Sequence, residues 1–310
     1  MTRSRLRLVA LAAAVLASAA VAEAGPLRRA MDGLTEGEIS SGGTTRTYDI
    51  HRPDRLKGPS PLVIMLHGGG GSGKNGARMS GFNALADREG FTVVYPDGTG
   101  RGPFLTWNAG HCCAYAMEQK VDDVGFLSDL IDDLVAKGIA DPKRVYVTGM
   151  SNGAMMTHRA GRELSGKVAA IAPVVGAVFG DEVLPAYPVP ALILTGALDR
   201  NVPAEGGYGK NPARQTSAPN DAPYASAEAA MRYWMSANKC TGEAPSKTVP
   251  AYTVRSGSGC AAPVRWYVLT ENGHAWPGGH KGSRRGDTPV EDFDASEVIW
   301  DFFKAQSRPG

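Results

Sequence analysis

The pentapeptide Gly149-Met150-Ser151-Asn152-Gly153 is the strongest constraint on how this chain folds. It follows the apolar run Val145-Tyr146-Val147 and precedes a segment with helical patterning. A strand that enters a helix through so tight a turn strains its central residue. Glycines on both sides remove the side chains that would collide there. The turn lifts the Ser151 hydroxyl above the sheet edge, and the following helix aims its free N-terminal N–H groups at the same point. A serine placed in this way reads as a nucleophile rather than as a chance loop residue.

The rest of the chain supplies a sheet for that junction. Residues 45–51 alternate polar and apolar and predict an early strand. Residues 61–66 are continuously apolar, as expected of a strand buried on both faces, and end in His67 and the glycines Gly68 to Gly71. Residues 78–90 read as a helix, and Phe91 to Tyr95 as a strand stopped by Pro96-Asp97-Gly98. Val121, Val124, Leu127, Leu130, Ile131 and Leu134 form one apolar stripe on a helix over 121–137, ended by Gly138. Beyond the serine turn come strands at 169–175 and 191–195, a helix at 226–237, a last strand at 265–270 and a closing helix at 294–305. Strands alternating with helices imply an α/β fold, with a mostly parallel central sheet covered by helices on both faces. There is no internal repeat and no linker, so residues 25–310 read as a single domain. The stretch 200–224, rich in Gly, Pro, Ala and Asn, is either a pocket rim or a surface loop.

The first 24 residues read as a signal peptide. Arg3, Arg5 and Arg7 form a basic start, Leu8 to Ala22 an apolar run, and Ala22-Glu23-Ala24 a small-x-small cleavage site. The run is short for a membrane anchor. Its removal takes three Arg and one Glu from 33 basic and 31 acidic side chains, leaving 30 of each. A neutral mature chain has no global electrostatic reason to bind nucleic acid or an anionic membrane. Export permits disulfides, and Cys240 and Cys260, which flank one loop, are the natural pair. Cys112 and Cys113 are adjacent; they are either bonded to each other, which is uncommon, or two free or separately used thiols. Metal-ligand spacing is absent, and no metal or cofactor is expected.

A serine nucleophile needs a base, an acid to orient that base, and donors for the oxyanion. Asp199 lies just past the buried strand Leu192-Ile193-Leu194-Thr195, after Gly196, which lets the chain turn out of the sheet. Glu205 is the alternative acid; Asp181 and Asp221 lack a preceding strand. His274 directly follows the last strand, whereas His280 sits further along a Gly-rich loop. His158 is two turns up the helix from Ser151, too far to reach back. The oxyanion donors are expected from Asn152, after the nucleophile, and from Gly69 or Gly70, where the backbone itself must approach the substrate. His67 is expected to brace that glycine turn. A phosphate loop at 70–74 is disfavoured, since Asn75 follows Lys74. Trp107 and Trp276 read either as an aromatic wall for substrate or as core residues. Asp122 and Asp123 read as helix N-terminal capping rather than as an acid/base pair.

The HGGGGSG stretch from His67, the TWN and CC loop at 106–113, VDDVGFL, RVYVTGMSNGAMM, LTGALD and ENGHAWPGG occur together in one order. In this the chain resembles the polyhydroxybutyrate depolymerase and feruloyl esterase group of α/β-hydrolases, carbohydrate esterase family 1-like, over roughly residues 35–305. The resemblance implies an α/β-hydrolase fold and a secreted or periplasmic carboxylic-ester hydrolase with the triad Ser151, Asp199 and His274. The expected substrate is a small-molecule or oligomeric ester: a hydroxyalkanoate oligomer or polyester, or a feruloyl or acetyl ester. The chain is expected to work as a monomer. Relatives often carry a Cys near the position of Gly161 that pairs with the Cys112-Cys113 loop; here it is absent. Polymer-degrading relatives often append a substrate-binding domain. Its absence up to Gly310 favours soluble oligomers or small esters. The rival readings are an acyltransferase, a serine peptidase and a non-catalytic binding protein on the same scaffold.

Overall fold

A computed structural model describes residues 33–210 and 222–309. The signal peptide expected at 1–24 and the middle of the 200–224 stretch lie outside the described residues. The chain opens with β1 (Thr35–Ser41), β2 (Thr44–His51) and β3 (Ser60–Leu66), followed by helices α1 (Gly73–Ser80) and α2 (Phe82–Glu89). Next come β4 (Thr92–Pro96), a small hairpin of β5 (Thr99–Arg101) and β6 (Phe104–Thr106), then α3 (Ala114–Glu118) and α4 (Asp123–Ala136). The serine junction joins β7 (Ala140–Met150) to α5 (Asn152–Glu163). After it lie β8 (Ala170–Val174), β9 (Ala191–Gly196) and α6 (Ala227–Ala237). The chain closes with β10 (Gly242–Glu243), β11 (Lys247–Val249), β12 (Tyr252–Ser258), β13 (Val264–Leu269) and α7 (Ala295–Phe303).

The main sheet runs β1-β2-β4-β3-β7-β8-β9-β13-β12-β10, with β11 paired to β12. Its centre, from β4 to β13, is parallel, and both flanks are antiparallel. Every residue of β3, β4, β8 and β9 is buried. Their continuous apolar sequences follow from this, because each face carries helices. Leu62, Ile64 and Leu66 of β3 join a core shared with α4, α5 and α6, while Val63 and Met65 join one shared with α1, α2 and α7. Of the stripe expected on α4, Leu127, Leu130, Ile131 and Leu134 are buried; Val124 is half-buried, Val121 lies before the helix begins at Asp123, and Phe126 takes a place on the buried face. On the opposite face, Phe303 stacks on Tyr146 with ring centroids 4.8 Å apart, and Trp300 stacks on Phe91 at 4.1 Å. Full burial of each such side chain contributes about 2–3 kcal/mol.

One expectation changes. The helix predicted over 78–90 is two helices. Gly81 adopts φ 67° and turns its N–H back to Ala77 O, which ends α1 and starts α2 in a new direction. Antiparallel strands flank the parallel centre, β1 and β2 on one side and β12 with β10 and β11 on the other. Cys240 and Cys260 form the expected disulfide, with S–S 1.97 Å, which ties α6 to the β12 edge. Cys112 and Cys113 are bonded to each other. Among the described residues no helix is long and apolar enough to cross a membrane.

Candidate active site

The parallel strands all end on one edge, and the site is assembled there. Ser151 is held at φ 57°, ψ −122°, between the end of β7 and the start of α5. The flanking glycines are required. A Cβ on Gly149 would fall 2.6 Å from Gly153 O, and one on Gly153 would overlap both Leu66 O and His67 O. The Ser151 N–H bonds Val174 O at 3.0 Å, which fixes the turn against β8.

Asp199 follows β9 by three residues and His274 follows β13 by five, so both loops open on the edge that carries Ser151. His274 Nε2 lies 2.8 Å from Ser151 Oγ, and His274 Nδ1 lies 2.7 Å from Asp199 Oδ2. With the carboxylate as acceptor, the Nδ1 proton points at Asp199 and Nε2 faces the serine hydroxyl with its lone pair. Asp199 is 5% exposed, and its other oxygen accepts the N–H groups of Asn201 at 2.8 Å and Val202 at 2.9 Å. The acid is thus fixed at both oxygens. Glu205 pairs with Lys210, and Asp181 pairs with His111; neither meets the imidazole.

The structure adds two supports that the sequence did not signal. Asp287 Oδ2 accepts the His274 N–H at 2.7 Å, although it lies 13 residues further along a polar loop. Asn272 Nδ2 donates to Gly273 O and Ala275 O and so shapes the turn that carries the imidazole.

Two expected roles are corrected. The Gly70 N–H is already spent on Leu105 O at 2.7 Å, so Gly70 has no amide to offer an oxyanion. The Gly69 N–H and the Asn152 N–H, the latter at the first position of α5, have no protein acceptor among the described residues. Trp107 and Trp276 do not form the aromatic wall; both are fully buried and neither lines the cleft. Trp276 Nε1 donates to Ser296 Oγ, and its ring meets the edge of Phe82 at 5.9 Å. The cleft, about 320 Å³, is bordered instead by the glycine loop, Leu105, Met79, Asn201, Arg285 and Asp287. Among the described residues, Arg285 is the one Lys or Arg on that border. Asn201 brings the start of the 200–224 stretch onto the rim.

The remaining candidates fall into structural roles. His67 is buried; its Nδ1 donates to Gly68 O at 2.8 Å and its Nε2 accepts the Gly98 N–H at 3.0 Å. Burial pushes its pKa down, which keeps the ring neutral as this bonding requires. Asp122 caps α4 by accepting the Gly125 N–H. Asp123 is not a cap: it is buried against Arg46 at 2.8 Å and accepts the Asn108 N–H at 2.7 Å.

Residues 51–203 match the family described as Esterase PHB depolymerase. NocK of Nocardia uniformis subsp. tsuyamanensis, whose own esterase designation is provisional, is 31% identical over 264 residues, covering 79% of this chain and 74% of NocK. Feruloyl esterase B of Piromyces equi is 31% identical over 256 residues, covering 81% of this chain but only 43% of that protein. The chain therefore spans less than half the length of the Piromyces relative. An acetyl xylan esterase structure from Aspergillus awamori superposes with TM-score 0.60 at 15% identity, over 87% of this chain and 99% of that one, and shares its fold.

Proposed function

The chain belongs to the PHB depolymerase esterase family and is a carboxylic ester hydrolase; from that premise we propose that it works through a Ser151-His274-Asp199 triad and an acyl-enzyme. One observation carries this assignment: the unbroken path from Ser151 Oγ through the imidazole to Asp199 Oδ2, at 2.8 and 2.7 Å. His274 Nε2 takes the Ser151 proton as Oγ attacks the ester carbonyl. The oxyanion of the tetrahedral intermediate accepts the Gly69 and Asn152 N–H groups. The imidazolium, stabilised by Asp199, returns the proton to the leaving alcohol. Water then repeats the sequence on the acyl-enzyme and releases the acid. Replacement Ser151→Ala is expected to abolish p-nitrophenyl acetate hydrolysis in a protein that still folds. Retained turnover would place the nucleophile elsewhere.

The border of the cleft supports a substrate class. Arg285 offers a bidentate donor for a carboxylate, and the Asp287 carboxylate beside it is held by the His274 N–H. The substrate is accordingly a soluble ester with a free carboxylate, as at the acid end of a hydroxyalkanoate oligomer. Arg285→Ala then lowers kcat/KM for a hydroxybutyrate dimer acid and leaves that for its methyl ester unchanged. Equal loss on both esters would remove Arg285 from recognition. Export is part of the proposal, resting on the character of residues 1–24 and on two disulfides suited to an oxidising compartment. The exported protein is expected to begin at Gly25 on N-terminal sequencing.

A further inference from the structure

We propose that Trp107 and the side chain of Asn152 are positioning residues that lock together the two arms of the oxyanion site; this rests on the serine-esterase assignment above. One arm is the glycine loop after β3, which begins at His67. The other is the N-terminus of α5, where Asn152 presents its backbone N–H. These arms come from segments more than eighty residues apart, and the oxyanion must accept from both at about 2.7–3.1 Å. Something has to fix their separation.

Trp107 touches both. The Asn152 side chain, 2% exposed, pairs with the backbone of a single residue in both directions: its Oδ1 accepts the Trp107 N–H at 2.7 Å and its Nδ2 donates to Trp107 O at 2.9 Å. A primary amide used as both donor and acceptor has no rotational freedom left. The Trp107 indole N–H donates to His67 O at 3.0 Å, and the indole lies 5.0 Å from the His67 ring. His67 in turn holds Gly68 O through Nδ1. A continuous chain of hydrogen bonds thus runs from the helix arm to the glycine arm through one residue.

That residue is itself anchored. Trp107 O accepts a second bond, from the Cys113 N–H at 3.1 Å. The neighbouring Asn108 N–H is taken by Asp123 Oδ2 at 2.7 Å, and Asn108 O accepts from Arg159 Nη1 at 2.7 Å. The buried Arg46–Asp123 pair therefore grips the peptide next to Trp107 from the α4 side, and Arg159 grips it from α5 itself. So many directed bonds on one short loop exceed what packing a tryptophan requires. The indole alone would fill its site without them.

The chemistry follows from the geometry. Trp107 does not line the cleft, so its loss should not alter ground-state binding of an ester. It should weaken donors that matter only once the carbonyl oxygen carries charge. Outright removal of one such donor costs about 10²–10³ in kcat. Loosening the pair should cost about tenfold or more.

The experiment compares Trp107→Phe, which deletes the indole N–H and shrinks a buried ring, and Asn152→Ala, which deletes both bonds to Trp107 but keeps the backbone N–H and the indole. Each is measured on p-nitrophenyl acetate and for inhibition by phenylboronic acid, whose tetrahedral adduct places an oxygen at the oxyanion position. The expected result is a fall in kcat of about tenfold or more, with KM within about twofold and a matching rise in the boronate inhibition constant. Folded variants with kcat within about twofold of the parent would overturn the proposal, as would a raised KM at unchanged kcat, which would return Trp107 to the substrate wall. Where Trp107→Phe does not fold, Asn152→Ala decides. The parent chain and Ser151→Ala run alongside. An inactive parent would defeat the esterase assignment, whereas an active parent with unimpaired variants defeats only the positioning role.

Discussion

Ser151 sits at a backbone conformation that L-residues rarely adopt, and such strain costs on the order of 1–3 kcal/mol. The surroundings sustain it: the Ser151 N–H is bonded across to β8, and glycines flank it on both sides. Gly153→Ala would drive a methyl group into Leu66 O at the end of β3 and His67 O at the start of the glycine arm, backbone atoms that cannot swing away. It is expected to destabilise the fold by about 3 kcal/mol or more, measured by urea denaturation. Asp287 acts more gently, through the backbone of the residue it holds. Asp287→Ala should lower kcat about tenfold and leave stability nearly unchanged, since the carboxylate is exposed and the loss is one hydrogen bond to a charged acceptor. Comparison of steady-state kinetics with the thermal midpoint separates the two.

At the scale of elements, α5 carries a second histidine whose role is structural. His158 is buried, accepts the Trp234 indole N–H at 2.9 Å through Nδ1, and has no partner at Nε2 among the described residues. Burial depresses its pKa to about 3. Above about pH 6.5 the ring is neutral in both folded and unfolded chains and costs nothing. As pH falls from 6.5 toward 3, the unfolded chain takes up a proton that the folded one refuses, so stability declines by up to about 1.4 kcal/mol per pH unit. His158→Gln should flatten that dependence by one proton, read from denaturation midpoints at several pH values. An unchanged slope would show that His158 does not titrate in this range. The same helix shows what the sequence could convey. The β3, β8 and β9 runs were legible because burial on both faces writes an unbroken apolar stretch, and the α4 stripe because one face is covered. The β1 strand was not legible: its burial alternates weakly and most of it faces solvent. The break at Gly81 was missed because the apolar pattern continues across it, and only the left-handed turn divides it. The meeting of Ser151, Asp199 and His274 could be expected because each follows a strand end. Trp107 and Trp276 were not assignable, because their partners Asn152 and Ser296 arrive from distant parts of the chain and no local pattern says whether an indole meets substrate or core.

For the whole molecule, the parallel centre of the sheet is what brings the chemistry together. Residues separated by 75 and 123 positions meet because every central strand ends on one edge. The antiparallel flanks extend the sheet without entering the cleft. The Cys240–Cys260 bond lies on one flank and closes a loop of 20 residues. Cys240→Ser with Cys260→Ser should therefore cost about 3 kcal/mol of stability and leave kcat/KM within about twofold. A large activity loss at full stability would tie that flank to the cleft. Covalent labelling shows whether these distant side chains make one activated hydroxyl. Incubation with diethyl p-nitrophenyl phosphate followed by peptide mass spectrometry should find a single phosphoryl adduct on Ser151, formed in step with loss of esterase activity and greatly slowed in His274→Ala. An adduct on any other residue, or labelling of Ser151 at the same rate without the imidazole, would contradict the account.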